Sequence, residues 1–157
     1  MRILIATGNP GKYKELLEAL SPAEGIKYVS LKDFPLNGEA PEDFETCAEN
    51  ALSKAYFAFE QTGIPTVADD SGIFLEAFPD MFGVRTRRQF TALDDMDWMT
   101  QFLELMEPVD NRRAKFLCAM AFYDGSTEKV FVGETLGEME EFPQTPLEPG
   151  IPASSVF

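Results

Sequence analysis

Pro65-Thr66-Val67-Ala68-Asp69-Asp70-Ser71-Gly72 carries an apolar run into two adjacent carboxylates, a hydroxyl and a glycine, and a second apolar run, Ile73-Phe74-Leu75, follows at once. The pattern reads as a buried strand that sets acid groups at its rim and then turns sharply at Ser71-Gly72. Adjacent carboxylates repel, so a fold that concentrates them in a cleft needs a cation, a proton or a Lys or Arg beside them. Where the ligand is a phosphate, a divalent metal is the usual cation. Asp-Asp-Ser-Gly also makes a good solvent-facing turn, and these residues alone leave both readings open.

Three other stretches bear on that choice. Thr7-Gly8-Asn9-Pro10-Gly11-Lys12 follows an apolar run and precedes Tyr13, Leu16, Leu17 and Leu20 at helical spacing. Such a strand, tight loop and helix can bring backbone N–H groups and Lys12 to an anion. It lacks the P-loop spacing, and a generic strand-turn-helix with an exposed lysine fits equally well. In a helix predicted from about Asp43 to Gln61, Phe44, Cys47, Ala48, Ala51, Ala55 and Phe59 form the core stripe. Thr46, Asn50 and Lys54 are four apart, so a hydroxyl, an amide and an ammonium share a second face, toward solvent or toward a ligand. Glu42 precedes that helix. Arg85, Arg87 and Arg88 form the densest positive patch, suited to phosphate contact, an oligomer seam or the balancing of local acids.

The elements that must position these groups follow from periodicity. Residues 2–6 and 26–31 read as strands, as does the run from Ile64 into Asp69-Asp70. Residues 92–107 read as an amphipathic helix around Trp98, Phe102 and Leu105. Residues 114–123 and 129–134 read as a hairpin turning at Asp124-Gly125-Ser126-Thr127. Ser21 to Gly25 reads as the close of the first helix. Pro143, Pro146, Pro149 and Pro152 recur at every third residue, which predicts an extended surface run that adds little core. The order predicts one α/β domain over residues 1–157 with a mixed sheet, and ligands beyond the strand ends that carry Gly8, Asn9, Asp69 and Asp70.

Composition narrows the function classes. The chain has 157 residues, a net charge of −14 and no histidine. That charge repels a nucleic-acid polymer and an anionic membrane, and the lack of histidine removes imidazole chemistry. No apolar run approaches the roughly 18 residues of a membrane span. Met-Arg-Ile-Leu-Ile-Ala-Thr turns polar too early for a signal peptide and reads as a core strand. Cys47 and Cys118 both fall in apolar patterns, which predicts buried free thiols and a reducing, cytoplasmic setting.

Thr7-Gly8-Asn9 with Lys12 and Glu15, Glu49-Asn50-Ala51 with Lys54-Ala55, and Ala68-Asp69-Asp70-Ser71-Gly72 stand in an order and at intervals that resemble the inosine/xanthosine triphosphate pyrophosphatases, a Ham1-like family of house-cleaning enzymes. Arg113-Ala114-Lys115-Phe116 through Cys118 is similar to that family's central-strand motif. The resemblance implies an anticodon-binding-like fold: a mixed twisted sheet flanked by helices, with two lobes around a nucleotide cleft, commonly in a homodimer. It implies Mg²⁺-dependent cleavage of a nucleoside triphosphate, a non-canonical purine such as ITP, dITP or XTP, to monophosphate and pyrophosphate, with Mn²⁺ able to replace Mg²⁺.

By the same resemblance, Glu42, Asp69 and Asp70 hold the metal, and Asp70, Asp69 and Lys12 are catalytic. Thr7, Gly8, Asn9, Lys12, Asn50, Lys54, Ser71, Gly72 and Arg88 belong to the substrate site. The base-reading side departs from the family pattern. Its Gly-Phe-Gly-Tyr-Asp-Pro-type segment aligns with Gly150-Ile151-Pro152-Ala153-Ser154-Ser155-Val156-Phe157, where Ala153-Ser154 stand for Tyr-Asp. The family's later Ser-His-Arg segment and closing helix have no counterpart here. A pyrophosphatase for a different base, or a weak or inactive nucleotide-binding relative, is the alternative this departure leaves.

Overall fold

Apolar runs become strands and runs of helical spacing become helices, with two corrections that bear on the site. The computed structural model describes residues 1–20 and 24–157. Its elements are β1 (Arg2–Ile5), α1 (Pro10–Ala19), β2 (Lys27–Ser30), a 3-10 turn (Leu31–Asp33), α2 (Cys47–Thr62), β3 (Thr66–Leu75), a 3-10 turn (Thr86–Arg88), α3 (Asp95–Met106), β4 (Arg113–Tyr123), β5 (Glu128–Glu138) and a 3-10 turn (Pro152–Ser155). The strands pair in the order β2-β1-β3-β4-β5. β1 lies parallel to β2 and β3, whereas β4 and β5 form the predicted hairpin, so the fold is mixed α/β. Of the segment predicted to close α1, residues 21–23 lie outside the described residues. Among the described residues no helix is long and apolar enough to cross a membrane.

The chain packs as two compact units, Met1–Asp70 with Cys118–Gly133, and Ser71–Leu117 with Glu134–Phe157. In the first, Leu4 and Ile5 of β1 are fully buried, as expected of a parallel strand covered on both faces. Asn9 caps α1: its Oδ1 accepts from the Gly11 and Lys12 amides at 2.9 and 3.2 Å, and Pro10 fills the first turn, where a missing N–H costs nothing. The Gly11 amide, expected to face an anion, is thus turned to Asn9.

Helix α2 starts at Cys47 rather than near Asp43. Thr46 and Glu49 form a reciprocal capping box, which leaves residues 43–45 outside the helix and Phe44 exposed instead of in the core stripe. Thr46 is therefore a cap, not part of a stripe with Asn50 and Lys54. Ala51, Ala55 and Ala58 make its buried face, and Gly63 ends it in the left-handed conformation. Its aromatic side packs edge-on against Tyr123 through Tyr56 and Phe59.

The second unit is built on aromatics. Trp98 and Phe102 of α3 stack at 5.2 Å, and Phe82 meets Phe102 edge-on at 5.8 Å. Arg112 closes the unit by donating to the carbonyls of Met106, Met139 and Glu140 at 2.6–2.8 Å. The proline-spaced run is exposed or half-buried as far as Ile151, as expected, and core is added by the residues that follow it. Val156, Ser155 and Ala153 are buried, because Glu140 and Gln144 donate to the Val156 and Ser155 carbonyls at 2.7 Å and Asp95 accepts from the Gly150 amide at 2.7 Å.

The turn expected at Ser71-Gly72 is absent, and β3 runs through it to Leu75. Gly72 serves close approach instead. A Cβ there would overlap the Gly83 carbonyl, where the following loop crosses the strand. That crossing is fastened by the Gly83 amide on the Ile73 carbonyl at 2.7 Å and by the Thr86 hydroxyl, which accepts from the Ile73 amide at 3.0 Å and donates to the Gly83 carbonyl at 2.6 Å. Gly72→Ala is expected to lower unfolding stability by about 1–3 kcal/mol in urea, whereas Gly8→Ala, with open space around the added methyl, should stay within about 0.5 kcal/mol.

Candidate functional site

β1 pairs with β3 only as far as Ile5 opposite Val67, so β3 carries Asp69 and Asp70 past the carboxyl end of β1. Consecutive strand residues point to opposite faces, and the partners of the two acids follow that division. Lys12, in the first turn of α1, meets Asp69 Oδ2 at 2.8 Å. Lys54 of α2 meets Asp70 Oδ1 at 3.0 Å, Glu42 Oε1 at 2.9 Å and the Asp69 carbonyl oxygen at 3.3 Å. Burial opposes the charge on Lys54, but Asp70 and Glu42 outweigh it and hold its pKa above the ordinary lysine value.

Asp69 and Asp70 are only 4% and 7% exposed. Among the described residues, Asp69 Oδ1 is buried with no hydrogen-bond partner. A buried carboxylate oxygen in that state is costly and is the kind of atom a ligand satisfies. The acids alone are not gathered into one cage: among the described residues no group of three or more His, Cys, Asp or Glu stands ready to hold a metal. The Lys54 ammonium lies between Asp70 and Glu42.

Asn50 is fully buried. Its Nδ2 donates to Asp70 Oδ2 at 3.3 Å and its Oδ1 accepts from the Phe44 amide at 3.2 Å. The amide is therefore spent on Asp70 and on the loop that carries Glu42, a supporting position behind the carboxylates. Thr7 accepts from the Asn9 amide at 3.2 Å and is nearly buried, while Gly8 is exposed. Thr7, Gly8, Asn9, Lys12, Glu42, Asn50, Lys54, Asp69 and Asp70 all belong to the first unit; Ser71, Gly72 and Arg88 belong to the second. Gly72 is buried and Arg88 exposed.

Sequence reasoning placed Cys47 in the core and missed its second role. The thiol is buried beside Asp70, and burial first, then Asp70, pushes its pKa up to about 12. Cys47, Asn50 and Lys54 are three and four residues apart, so one helical face reaches Asp70 three times. That spacing was the available signal. Cys118 is half-buried rather than buried, and burial together with Asp69 raises its pKa.

Fold and site together define an α/β protein that sets ion-paired carboxylates at the end of parallel strands. The sequence profile of the Ham1 family matches residues 3–148. Relatives described as dITP/XTP pyrophosphatases include those of Desulforamulus reducens, 39% identical over 88% of this chain and 74% of the relative, and Verminephrobacter eiseniae, 36% identical over 92% and 75%. The structure of a nucleoside-triphosphatase/dITP/XTP pyrophosphatase from Mycobacterium abscessus superimposes with a TM-score of 0.74 at 32% identity, over all of this chain and 82% of that one. A HAM1 protein from Coxiella burnetii superimposes with a TM-score of 0.81 at 29% identity, covering 100% and 81%. The chain belongs to the Ham1 family.

Two outcomes check this geometry. Asn50→Leu strands Asp70 Oδ2 and the Phe44 amide, and is expected to cost about 1–3 kcal/mol in denaturant unfolding. With a pKa near 12, Cys47 should stay protonated and resist a disulfide reagent at pH 8 in the folded protein. Peptide mapping after a brief exposure should find it modified only when denaturant is present.

Proposed function

We propose that this protein hydrolyses nucleoside triphosphates between the α and β phosphates, releasing monophosphate and pyrophosphate, with non-canonical purines (ITP, dITP, XTP) as substrates. The observation that carries the reading is the buried acid pair of β3 held by one lysine from each of two helices, with Asp69 Oδ1 left without a partner. The curated relatives described as dITP/XTP pyrophosphatases support the same chemistry.

Charge balance supports a metal. Lys12 and Lys54 face Glu42, Asp69 and Asp70, so the cluster keeps an excess of negative charge. A bare polyphosphate is repelled by it, and a cation must accompany the substrate. The hard oxygens of Glu42 and Asp70 around one ammonium, and the orphaned oxygen of Asp69, fit Mg²⁺, with Mn²⁺ able to replace it. Glu42, Asp69 and Asp70 would hold it, where it would neutralise phosphate oxygens and polarise the water.

The chain's own groups do the remaining work. Lys12 and Lys54 bind phosphate oxygens, and Thr7, Gly8 and Asn9 border them at the start of α1. Asp70, steadied by Asn50 and Cys47, orients a water and takes its proton as the water oxygen bonds to phosphorus. The P–O bond that bridges the α and β phosphates breaks in line, and monophosphate and pyrophosphate separate, one of them carrying the water's oxygen.

The base-facing side favours a second reading of specificity. Ala153 is buried, and the Ser154 hydroxyl donates to the Ile151 carbonyl at 2.8 Å, so neither supplies the acid and aromatic expected at these positions. A relaxed or different base preference fits that. On the outer strand β5, the exposed Phe131, Val132 and Leu136 support a homodimer, which sedimentation velocity tests.

Pyrophosphate release from ITP, XTP, dUTP and ATP decides the main reading. Turnover with Mg²⁺, its loss in EDTA and a fall of about 10²–10⁴ in kcat for Asp70→Asn are expected. No turnover of any of the four by folded protein that binds Mg²⁺ would overturn it.

A further inference from the structure

Lys54 stands where three oxygens meet. Its ammonium has three N–H donors, and Glu42 Oε1, Asp70 Oδ1 and the Asp69 carbonyl take them at 2.9, 3.0 and 3.3 Å. Lys12, by contrast, pairs with Asp69. The two carboxylates on Lys54 come from a loop and a strand twenty-eight positions apart in sequence, and Asn50 fixes both by holding the Phe44 amide and Asp70 Oδ2. The result is a cation-shaped set of hard oxygens filled by the protein's own cation.

We propose that Lys54 is a resident counter-cation that competes with a divalent metal for Glu42 and Asp70, so that the resting protein binds the metal weakly until Lys54 is drawn onto the phosphates of the substrate. The inference rests on reading Glu42 and Asp70 as metal ligands. Its physics is simple. An ammonium and a divalent ion on the same oxygens repel strongly at such separations, so each weakens the other, and by linkage whatever removes the lysine must strengthen the metal by the same factor. A triphosphate offers the lysine other oxygens. Metal and substrate then bind cooperatively, and a metal ion without substrate is held only weakly.

The test uses Mn²⁺ alone, with no nucleotide, measured by calorimetry and by the loss of the free-ion electron paramagnetic resonance signal. Lys54→Met should bind Mn²⁺ at least ten-fold more tightly than the wild type. Lys32→Met removes one exposed charge elsewhere and should leave the affinity within two-fold, which separates local exchange from the general field. Wild-type protein supplies a second readout that needs no variant: Mg²⁺ at millimolar concentration should shift the ion-paired Lys54 ammonium resonance in ¹⁵N spectra while others hold still.

Equal or weaker Mn²⁺ binding by folded Lys54→Met, or a Lys54 resonance unmoved at saturating Mg²⁺, would overturn the proposal. These outcomes are independent of turnover. A protein inactive on every triphosphate whose Lys54→Met form gains metal affinity keeps the exchange and loses the reaction. An active enzyme whose variant gains none keeps the reaction and loses the exchange.

Discussion

Two neighbouring carboxylates in a nearly buried strand cannot stand unaided, and the surroundings of β3 answer to that constraint. Removing one partner from a buried ion pair costs about 3–5 kcal/mol, a large part of the about 5–15 kcal/mol that holds a domain together. Lys12 and Lys54 therefore serve the fold before they serve any substrate. The Asn9 cap fixes where α1 begins and so where Lys12 reaches Asp69. The capping box of Thr46 and Glu49 does the same for α2, which delivers Cys47, Asn50 and Lys54 to Asp70.

A site built this way joins stability to chemistry. On the proposed reading, the groups that neutralise the acids in the resting protein are also the ones that meet phosphate, each as another cation takes its place. The orphaned oxygen of Asp69 and the negative excess of the cluster point the same way: the resting arrangement is satisfied on one side and open to a cation on the other.

Much of this was legible in the residues. Asp69-Asp70 after an apolar run, Lys12 after a glycine-bearing loop and Lys54 on the following helix are local patterns with a stated chemistry, and the strands and helices of the first seventy residues follow their periodicity. What escaped was tertiary. Ser71-Gly72 has the composition of a turn, yet β3 continues because the loop at Gly83 crosses over it and needs a residue with no side chain. Phe44 fits a helical stripe but is cut off by the Thr46 cap two residues later. The proline-spaced run stays at the surface as its pattern implies, but the residues after it are drawn inward by backbone hydrogen bonds to Glu140 and Gln144 that no periodicity encodes. Cys47 lay on a face that could be read as core, and only the position of Asp70 beside it shows the second use.

The bond broken is the most direct measure of whether this acid pair is a hydrolytic centre of the kind described. Turnover of ITP with Mg²⁺, followed by ³¹P nuclear magnetic resonance, should show inosine monophosphate and pyrophosphate growing in equal amounts with no diphosphate at any time. Inosine diphosphate and orthophosphate as the first products would place the cleavage at the wrong phosphoanhydride and contradict it.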